Sequence, residues 1–191
     1  FNSLEIEENP IGAASLGQVH RARSRNHDPQ TPGPELALKV QYPGVEKAIK
    51  SDLKSLRSLL KLLNLLPSDF QADVLFEEVE TMLRQELDYK LEQEQTKLYR
   101  HKLMGDARFI VPQVFPEWST SKVIATSFEQ GLAIDHPLVL SLAQERRNQI
   151  GISFLDLYFK ELFEWGLVQT DPHLGNYKVR LAASDKTEPG K

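Results

Sequence analysis

Two leucine-rich stretches at helical spacing stand between strand-like segments, and this order restricts the fold more than any other feature. Apolar residues recur every three or four positions over 45–63 and again over 70–102, which predicts two helices. A further helix is predicted over 138–165, ended by Gly166. Strands are predicted from short apolar runs bounded by turn residues, at 18–23, 36–41, 109–111 and 123–128. The order predicts an α+β fold, with a strand-containing lobe joined to a helical one.

Composition excludes several classes of protein. The 191 residues carry a formal net charge of -4, so no basic field indicates a nucleic-acid partner. There is no cysteine, which rules out disulfides, thiolate metal sites and a cysteine nucleophile, and fits a reducing compartment. No apolar run reaches the roughly 18 residues that cross a bilayer. The first residues show neither an initiator Met nor a signal-peptide layout, and the last ten are polar, so both ends are expected to be cuts within a longer protein.

The segment 170–176, Thr-Asp-Pro-His-Leu-Gly-Asn, is the most informative motif. Asp171 and Asn176 have the D-x-x-x-x-N spacing of the protein-kinase catalytic loop. There the Asp accepts or orients the proton of a substrate hydroxyl, and the Asn helps to hold a divalent cation. An Asp- and Asn-rich turn after a helix is the alternative interpretation of the same spacing.

Two further motifs precede it. Lys39 stands in an otherwise apolar strand, as does the phosphate-contacting lysine of the kinase V-A-I-K strand, although a lysine there can also reach water along its stem. The small-residue segment 10–19 could line an anion site with backbone N–H groups, or serve as a packing turn. The serial order of small-residue loop, lysine strand, acidic helix and D-x-x-x-x-N is that of a kinase.

Together the motifs resemble the UbiB-like atypical kinases, also called ADCK or AarF-domain proteins. The resemblance runs from about Pro10 to Asn176. It is carried by A-S-L-G-Q-V-H at 14–20, L-K-V-Q-Y-P-G-V at 38–45, E-L-D-Y at 86–89 and T-D-P-H-L-G-N at 170–176. It implies a protein-kinase-like fold, with an N-lobe over 1–131 that contains inserted helices at about 45–104, and the start of a helical C-lobe over 132–191.

The resemblance also implies roles for individual residues. Lys39 would hold the nucleotide phosphates and Glu92 would be its ion-pair partner, while Glu86 and Asp88 would form a polar pair facing the active site. Asp171 would be the catalytic Asp and Asn176 a metal ligand. The segment 123–131 would run into the hinge that holds adenine. The other residues implied to bind the cofactor are Gly12, Ala13, Ala14, Ser15 and Val19.

Departures from the family pattern are equally specific. Gly12 and Leu174 stand where Ala and Pro are usual, and Gln93 and Gln95 replace the usual Ala and Asn. The upstream K-x-G-Q and the downstream D-F-G are absent from the sequence. Asp185 is followed by Lys186, which makes it a poor substitute for the D-F-G aspartate. We therefore expect a chain truncated before D-F-G, inactive by itself.

The resemblance implies that the full protein uses ATP and Mg²⁺ as an atypical kinase or ATPase. Its implied role is in isoprenoid-quinone or other lipid metabolism, with lipid or quinone-pathway proteins at a membrane as partners. The implied compartments are the bacterial cytoplasm or inner-membrane face, a mitochondrion or a plastid. Two alternatives stay open: a nucleotide-binding pseudokinase or ATPase-like regulator, and a non-catalytic interaction module built on the helices at 45–102.

Overall fold

The computed structural model describes residues 3–14, 16–25, 33–63, 72–169, 174–182 and 185. The chain divides into two compact units, Phe1–Phe128 and Glu129–Lys191. No helix in the described ranges has an apolar stretch long enough to cross a membrane.

The first unit is built on one antiparallel sheet. Its strands are β1 (Leu4–Ile6), β2 (Gly12–Ala14), β3 (Gly17–Ser24), β4 (Glu35–Gln41) and β5 (Val123–Ser127). The order is β1-β3-β4-β5, and β2 pairs with β3 beside β1. The predicted strands at 18–23, 36–41 and 123–128 are confirmed.

Alternation along β4 separates an apolar face of the sheet from a polar one. Leu36 and Leu38 point to one face and are buried, whereas Lys39 and Gln41 point to the other. The apolar face forms the core, with Leu4, Ala22 and Ala125 fully buried and Val40, Phe115 and Trp118 packed against them. The polar face is therefore left to carry chemistry.

Two parts of the strand prediction are wrong. The segment 109–111 is not a strand, and pairing begins only with a bridge from Val114 to Thr126. Pro112 has no backbone N–H and cannot donate the hydrogen bond that a longer strand would need. The pairing with β5 therefore starts only after it. The small-residue segment at 12–14, expected to be part of a loop, is strand β2.

In the described part of the chain, three α-helices, not two, lie between β4 and β5: α1 (Val45–Leu62), α2 (Ala72–Glu86) and α3 (Tyr89–Lys102). A 3₁₀ turn (Pro116–Trp118) precedes β5. The single helix predicted over 70–102 is wrong because the chain leaves helical geometry at Asp88, where φ is -83° and ψ is 81°. The Asp88 carboxylate accepts hydrogen bonds from the backbone N–H groups of Lys90 and Leu91 and so begins a new helix.

The second unit contains a small two-stranded antiparallel sheet and a helical segment. Its elements are β6 (Leu132–Ala133), α4 (Pro137–Leu140), α5 (Gln144–Phe159), a π-helical segment (Lys160–Trp165), a 3₁₀ turn (Leu174–Asn176) and β7 (Lys178–Val179), which pairs with β6. The continuous helix predicted over 138–165 is interrupted at 141–143. Gly166 ends it as predicted, with a φ of 59° that favours glycine.

The apolar side of α5 and the π-helical segment is largely uncovered within the described residues. The sequence predicts Leu140, Ile150, Phe154, Leu155, Tyr158, Leu162 and Phe163 as the core of this region. Leu140, Leu155, Tyr158, Leu162 and Phe163 are exposed, whereas Leu157 and Glu161 are buried. Periodicity identifies the apolar side of a helix, but burial depends on which elements pack against it.

Candidate nucleotide-binding site

Lys39 lies in the middle of the polar face of the sheet. Its strand, β4, pairs with β3 and β5, and Lys39 stands opposite Val19 on one side and Ile124 on the other. The Lys39 Nζ lies 2.9 and 2.8 Å from Oε1 and Oε2 of Glu92, a residue 53 positions away on α3. The structure thus joins the two residues that the resemblance paired.

The Lys39–Glu92 ion pair is partly open to solvent. The side chains are 29% and 37% exposed. Ion pairs at this degree of exposure stabilise a fold by about 1 kcal/mol or less. The main effect of the ion pair is therefore to hold the Lys39 ammonium in one position on the polar face of the sheet, where it can bind an anion.

Three further contacts tie the start of α3 to the sheet. The Gln41 amide donates to the Leu87 carbonyl at 2.6 Å, and the Gln93 amide donates to the Thr120 carbonyl at 3.2 Å. Tyr89, the first residue of α3, is 1% exposed. Gln93 is one of the residues in which the sequence departs from the family pattern, and it is buried.

Tyr89 lies directly below the Lys39 ammonium. The Nζ is 5.0 Å from the centre of the Tyr89 ring, within the range of a cation–π contact. Burial, followed by the negative charges of Glu92 and Glu86, raises the pKa of Tyr89 to about 12. The phenol is therefore neutral at physiological pH.

The predicted small-residue loop forms a tight hairpin beside Lys39. In it Gly12 pairs with Val19, Ala13 with Gln18 and Ala14 with Gly17. Ser15 lies outside the described residues. Gly17 is sterically required, because a Cβ there would lie 2.3 Å from the Val40 carbonyl oxygen and 3.2 Å from the Tyr89 hydroxyl oxygen.

Glu86 and Asp88, the predicted polar pair, flank the junction of α2 and α3. Glu86 is the last residue of α2 and has polar interactions of its own. Asp88 uses Oδ1 to cap α3, at 3.1 Å from the N–H groups of Lys90 and Leu91. From the four-residue spacing the sequence predicts that Asp88 and Glu92 share a helix face. This prediction is wrong, because Asp88 precedes the helix that carries Glu92. The roles of the pair stay predictions.

Asp171 lies outside the described residues, but both flanks of its segment are described. Before it, the Gln169 N–H donates to Oε2 of Glu161 at 3.1 Å, and Glu161 is 3% exposed. After it, the Tyr177 hydroxyl donates to the Gln169 side-chain carbonyl at 2.7 Å, and the Tyr177 ring packs edge-on against Phe154. These contacts hold residues 169 and 177 together at the base of the segment.

Asn176, the predicted metal ligand, ends the 3₁₀ turn that follows Asp171. The acid described after it, Asp185, accepts from the Ala182 N–H at 2.8 Å and contacts Nε of Arg146 at 3.2 Å. Among the described residues, no group of three or more His, Asp or Glu side chains could hold a metal ion. The described part of the chain therefore does not complete a Mg²⁺ site.

Sequence reasoning missed Tyr89 and Gln93 in the first unit and Glu161 in the second. Glu161 had no usable signal, because the apolar pattern predicted another side of its helix, with Leu155, Tyr158 and Leu162, as the core. Tyr89 belongs to the E-L-D-Y motif, but nothing in the motif indicated that its ring lies below Lys39.

Comparison with known proteins identifies the family. Residues 3–187 match the model of the ABC1 atypical kinase-like domain. The chain is 41% identical to the "Atypical kinase COQ8B, mitochondrial" of Danio rerio over 172 residues, which are 90% of this chain and 26% of that protein. It is 34% identical to the "Atypical kinase COQ8, mitochondrial" of Saccharomyces cerevisiae over 173 residues, 91% of this chain and 33% of that protein.

A solved structure agrees with the sequence relatives. Rv3197 of Mycobacterium tuberculosis, solved as a complex with erythromycin, superposes with a TM-score of 0.73 at 29% identity, covering 91% of this chain and 42% of that one. The predicted α+β, protein-kinase-like fold is thereby confirmed. The chain spans about a quarter to a third of the length of the two curated relatives. It belongs to the ABC1 atypical kinase-like family, the UbiB-like group that its motifs resemble.

Proposed function

We propose that the protein containing this chain binds ATP on the polar face of its sheet and acts as a UbiB-type atypical kinase or ATPase. The observation that carries the proposal is the Lys39–Glu92 contact. A cation held by one carboxylate, partly open to solvent and next to a small-residue hairpin, is suited to an anionic phosphate chain.

Two apolar side chains lie beside Lys39 on the same face of the sheet. Val19 and Ala37 point to the same face as Lys39, because Val19 stands opposite Lys39 and Ala37 lies two positions before it on β4. Neither side chain is fully buried. We propose that these two residues contact the adenine, that the hairpin residues Gly12, Ala13, Ala14 and Ser15 cover the phosphates, and that 123–131 carries the hinge.

We propose the following role for each residue. Lys39 binds phosphate oxygens and stabilises the charge that develops on the transferred group. Asp171 accepts or orients the proton of the attacking hydroxyl or water. Asn176 stays the proposed metal ligand. Mg²⁺ would neutralise phosphate charge when bound, and because the described residues do not complete its site, no step is assigned to it.

Nucleotide binding tests the proposal, by thermal unfolding of the complete protein with and without ATP and Mg²⁺. ATP at 100 times its dissociation constant stabilises by about 2.7 kcal/mol, a large shift in melting temperature. Lys39→Ala should weaken binding by about 10- to 100-fold, since hydrogen bonds to a charged group contribute roughly 1.5–3 kcal/mol. Lys47→Ala, which removes an exposed lysine from α1, is the matched control. Equal binding by both variants would refute the site.

Turnover tests the chemistry separately. Asp171→Asn should lower phosphoryl transfer or ATP hydrolysis by about 10² to 10⁴-fold while leaving ATP binding in place. Asp52→Asn, on exposed α1, controls for the loss of a carboxylate. Unchanged turnover in Asp171→Asn would exclude the kinase mechanism.

A nucleotide-binding pseudokinase is the second candidate function. The Lys39–Glu92 contact can hold a nucleotide whether or not phosphoryl transfer follows, so the same observation supports it. Binding of ATP without hydrolysis or transfer by the complete protein would support this alternative. An interaction module would show neither binding nor turnover.

The biological role that we propose is in isoprenoid-quinone or lipid metabolism, in an organelle such as the mitochondrion. It is supported by the family and by the mitochondrial names of the relatives. The complete protein should restore quinone content in yeast lacking the similar S. cerevisiae protein, and its Lys39→Ala variant should not. Equal quinone content with both forms would separate the role from nucleotide binding.

A further inference from the structure

We infer that Tyr89 is the positioning residue for Lys39, with its ring supporting the ammonium where the nucleotide phosphates bind. The inference rests on the proposed nucleotide function and extends it to a residue outside the predicted site set. It concerns only the phosphates of the nucleotide. A comparison of a ligand that carries phosphates with one that does not therefore tests it separately from nucleotide binding.

The inference depends first on how the Tyr89 side chain is held in place. It is the first residue of α3, with Asp88 as N-cap and the Gln41–Leu87 hydrogen bond immediately before it. The side chain is almost completely buried against the polar face of the sheet. A ring held by a capped helix start and by the sheet has little freedom to move.

The second step is the contact with Lys39. A lysine stem has four rotatable carbons and loses up to about 2 kcal/mol of rotamer entropy when it is fixed. Glu92 contacts the ammonium through both carboxylate oxygens, and the Tyr89 ring lies 5.0 Å from the same nitrogen. The ring is neutral, so it can hold the ammonium without competing with a phosphate for its charge, whereas a second carboxylate would oppose an anionic ligand.

The third step is the place of the ring relative to the hairpin. The Tyr89 hydroxyl oxygen lies 3.2 Å from the position that a Cβ of residue 17 would occupy. Gly17 is the first residue of β3, at the hairpin that we propose covers the phosphates. The ring that supports Lys39 therefore lies near the hairpin, on the side of the lysine where we propose that the phosphates bind.

The test compares two ligands on the complete protein by calorimetry: ATP, which carries phosphates, and adenosine, which does not. Tyr89→Leu removes the ring and should weaken ATP binding by about fivefold or more, while adenosine binding changes by less than about twofold. Tyr89→Phe keeps the ring and should bind ATP within about twofold of the unsubstituted protein. Normal ATP binding by Tyr89→Phe, together with a selective loss of ATP affinity in Tyr89→Leu, is the pattern expected if the ring face acts on Lys39. ATP binding by Tyr89→Phe as weak as that of Tyr89→Leu would overturn the inference, because the hydroxyl would then carry the effect.

A purely structural role predicts a different pattern. Tyr89→Leu would then weaken the binding of both ligands by the same factor, or of neither, and either result would overturn the inference.

Tyr99→Leu, which removes a tyrosine ring further along α3, should leave the ratio of ATP to adenosine affinity unchanged. If Tyr89→Leu does not fold, Tyr89→Met fills irregular space with a flexible side chain and gives the same comparison. Failure of the unsubstituted protein to bind either ligand would reject the proposed function, and with it the inference.

Discussion

The helices α1 and α3 belong to the same unit but differ in how they are attached. All 18 residues of α1 are described and none is buried, and its Leu62 is 80% exposed. The shorter α3 has two buried residues, Tyr89 and Gln93, and contacts the sheet through an ion pair, a ring and an amide. In the described residues, α1 is joined mainly to α2, through side-chain packing and the Arg57–Asp73 ion pair.

The difference shows that leucine content does not determine which helix is fixed in place. The helix with the more leucines has its apolar side open, while the helix that carries Glu92 is held by polar and aromatic contacts. Polar and aromatic contacts depend on the orientation of both partners. They therefore hold α3 where its Glu92 carboxylate lies within hydrogen-bonding distance of Lys39. We expect the contacts between sheet and α3 to be sensitive to substitution and α1 to be tolerant.

Gly17→Ala should have the largest effect. The new methyl group would meet the Val40 carbonyl oxygen and the Tyr89 hydroxyl, so strand β3 or α3 must shift, at about 3 kcal/mol of unfolding free energy. Chemical denaturation measures the loss. The control is Gly12→Ala on β2, where no described atom lies within 4 Å of the added Cβ and the change should be neutral or slightly stabilising. Equal effects at the two glycines would show that this side of the sheet is not closely packed.

High pH should weaken the attachment of α3. The folded protein holds the pKa of Tyr89 at about 12, above the ordinary 10.0, so its contribution is complete below pH 10 and is lost as pH rises through about 12. The loss is on the order of 2 kcal/mol. Tyr89→Phe lacks the titrating hydroxyl and should lose less stability over the same range. Parallel pH curves for the two proteins would contradict the burial of Tyr89.

Gln93→Ala should cost about 1–2 kcal/mol, because it removes a buried donor from the Thr120 carbonyl. Gln95→Ala on the same helix is exposed and should change stability by less than about 0.5 kcal/mol. Denaturation midpoints of the two variants give the comparison. A neutral Gln93→Ala would mean that the amide bond to Thr120 does not hold α3.

Leu62→Gln on α1 should have the smallest effect, below about 0.5 kcal/mol, since the side chain is already in water. The measurement belongs on the complete protein. A loss of more than 1 kcal/mol in the complete protein would show that other parts of the protein cover α1. The contrast between α1 and α3 would then hold only for the described part of the chain.

Much of the first unit could be predicted from the sequence, because its signals are local. The short apolar run 36–41, bounded by turn residues, predicted the strand β4 with Lys39 inside it. The Lys39–Glu92 pairing, across 53 positions, came only from the family resemblance, since periodicity does not say which helix meets which strand.

The remaining features depend on contacts distant in sequence. The break at Asp88 was missed because the apolar spacing continues across it, and the capping hydrogen bonds outweigh that periodicity. The burial of Tyr89 and Gln93 depends on the side of α3 that faces the sheet, which a polar helix does not reveal. In the second unit, the predicted apolar side is exposed because burial requires a covering element in addition to the pattern.

The short strands β1 and β2 have a consequence for aggregation. Both pair with β3 on the same side, three residues each, and Glu7, Glu8, Asn9 and Pro10 lie between them. Interruption, acidic side chains and a proline are features that discourage a sheet edge from adding a strand of another molecule. At the opposite edge, β5 is joined by the Val114 bridge and by the Phe115 and Gln113 backbone. Self-association of this lobe through continuous intermolecular sheets is thus disfavoured at both edges.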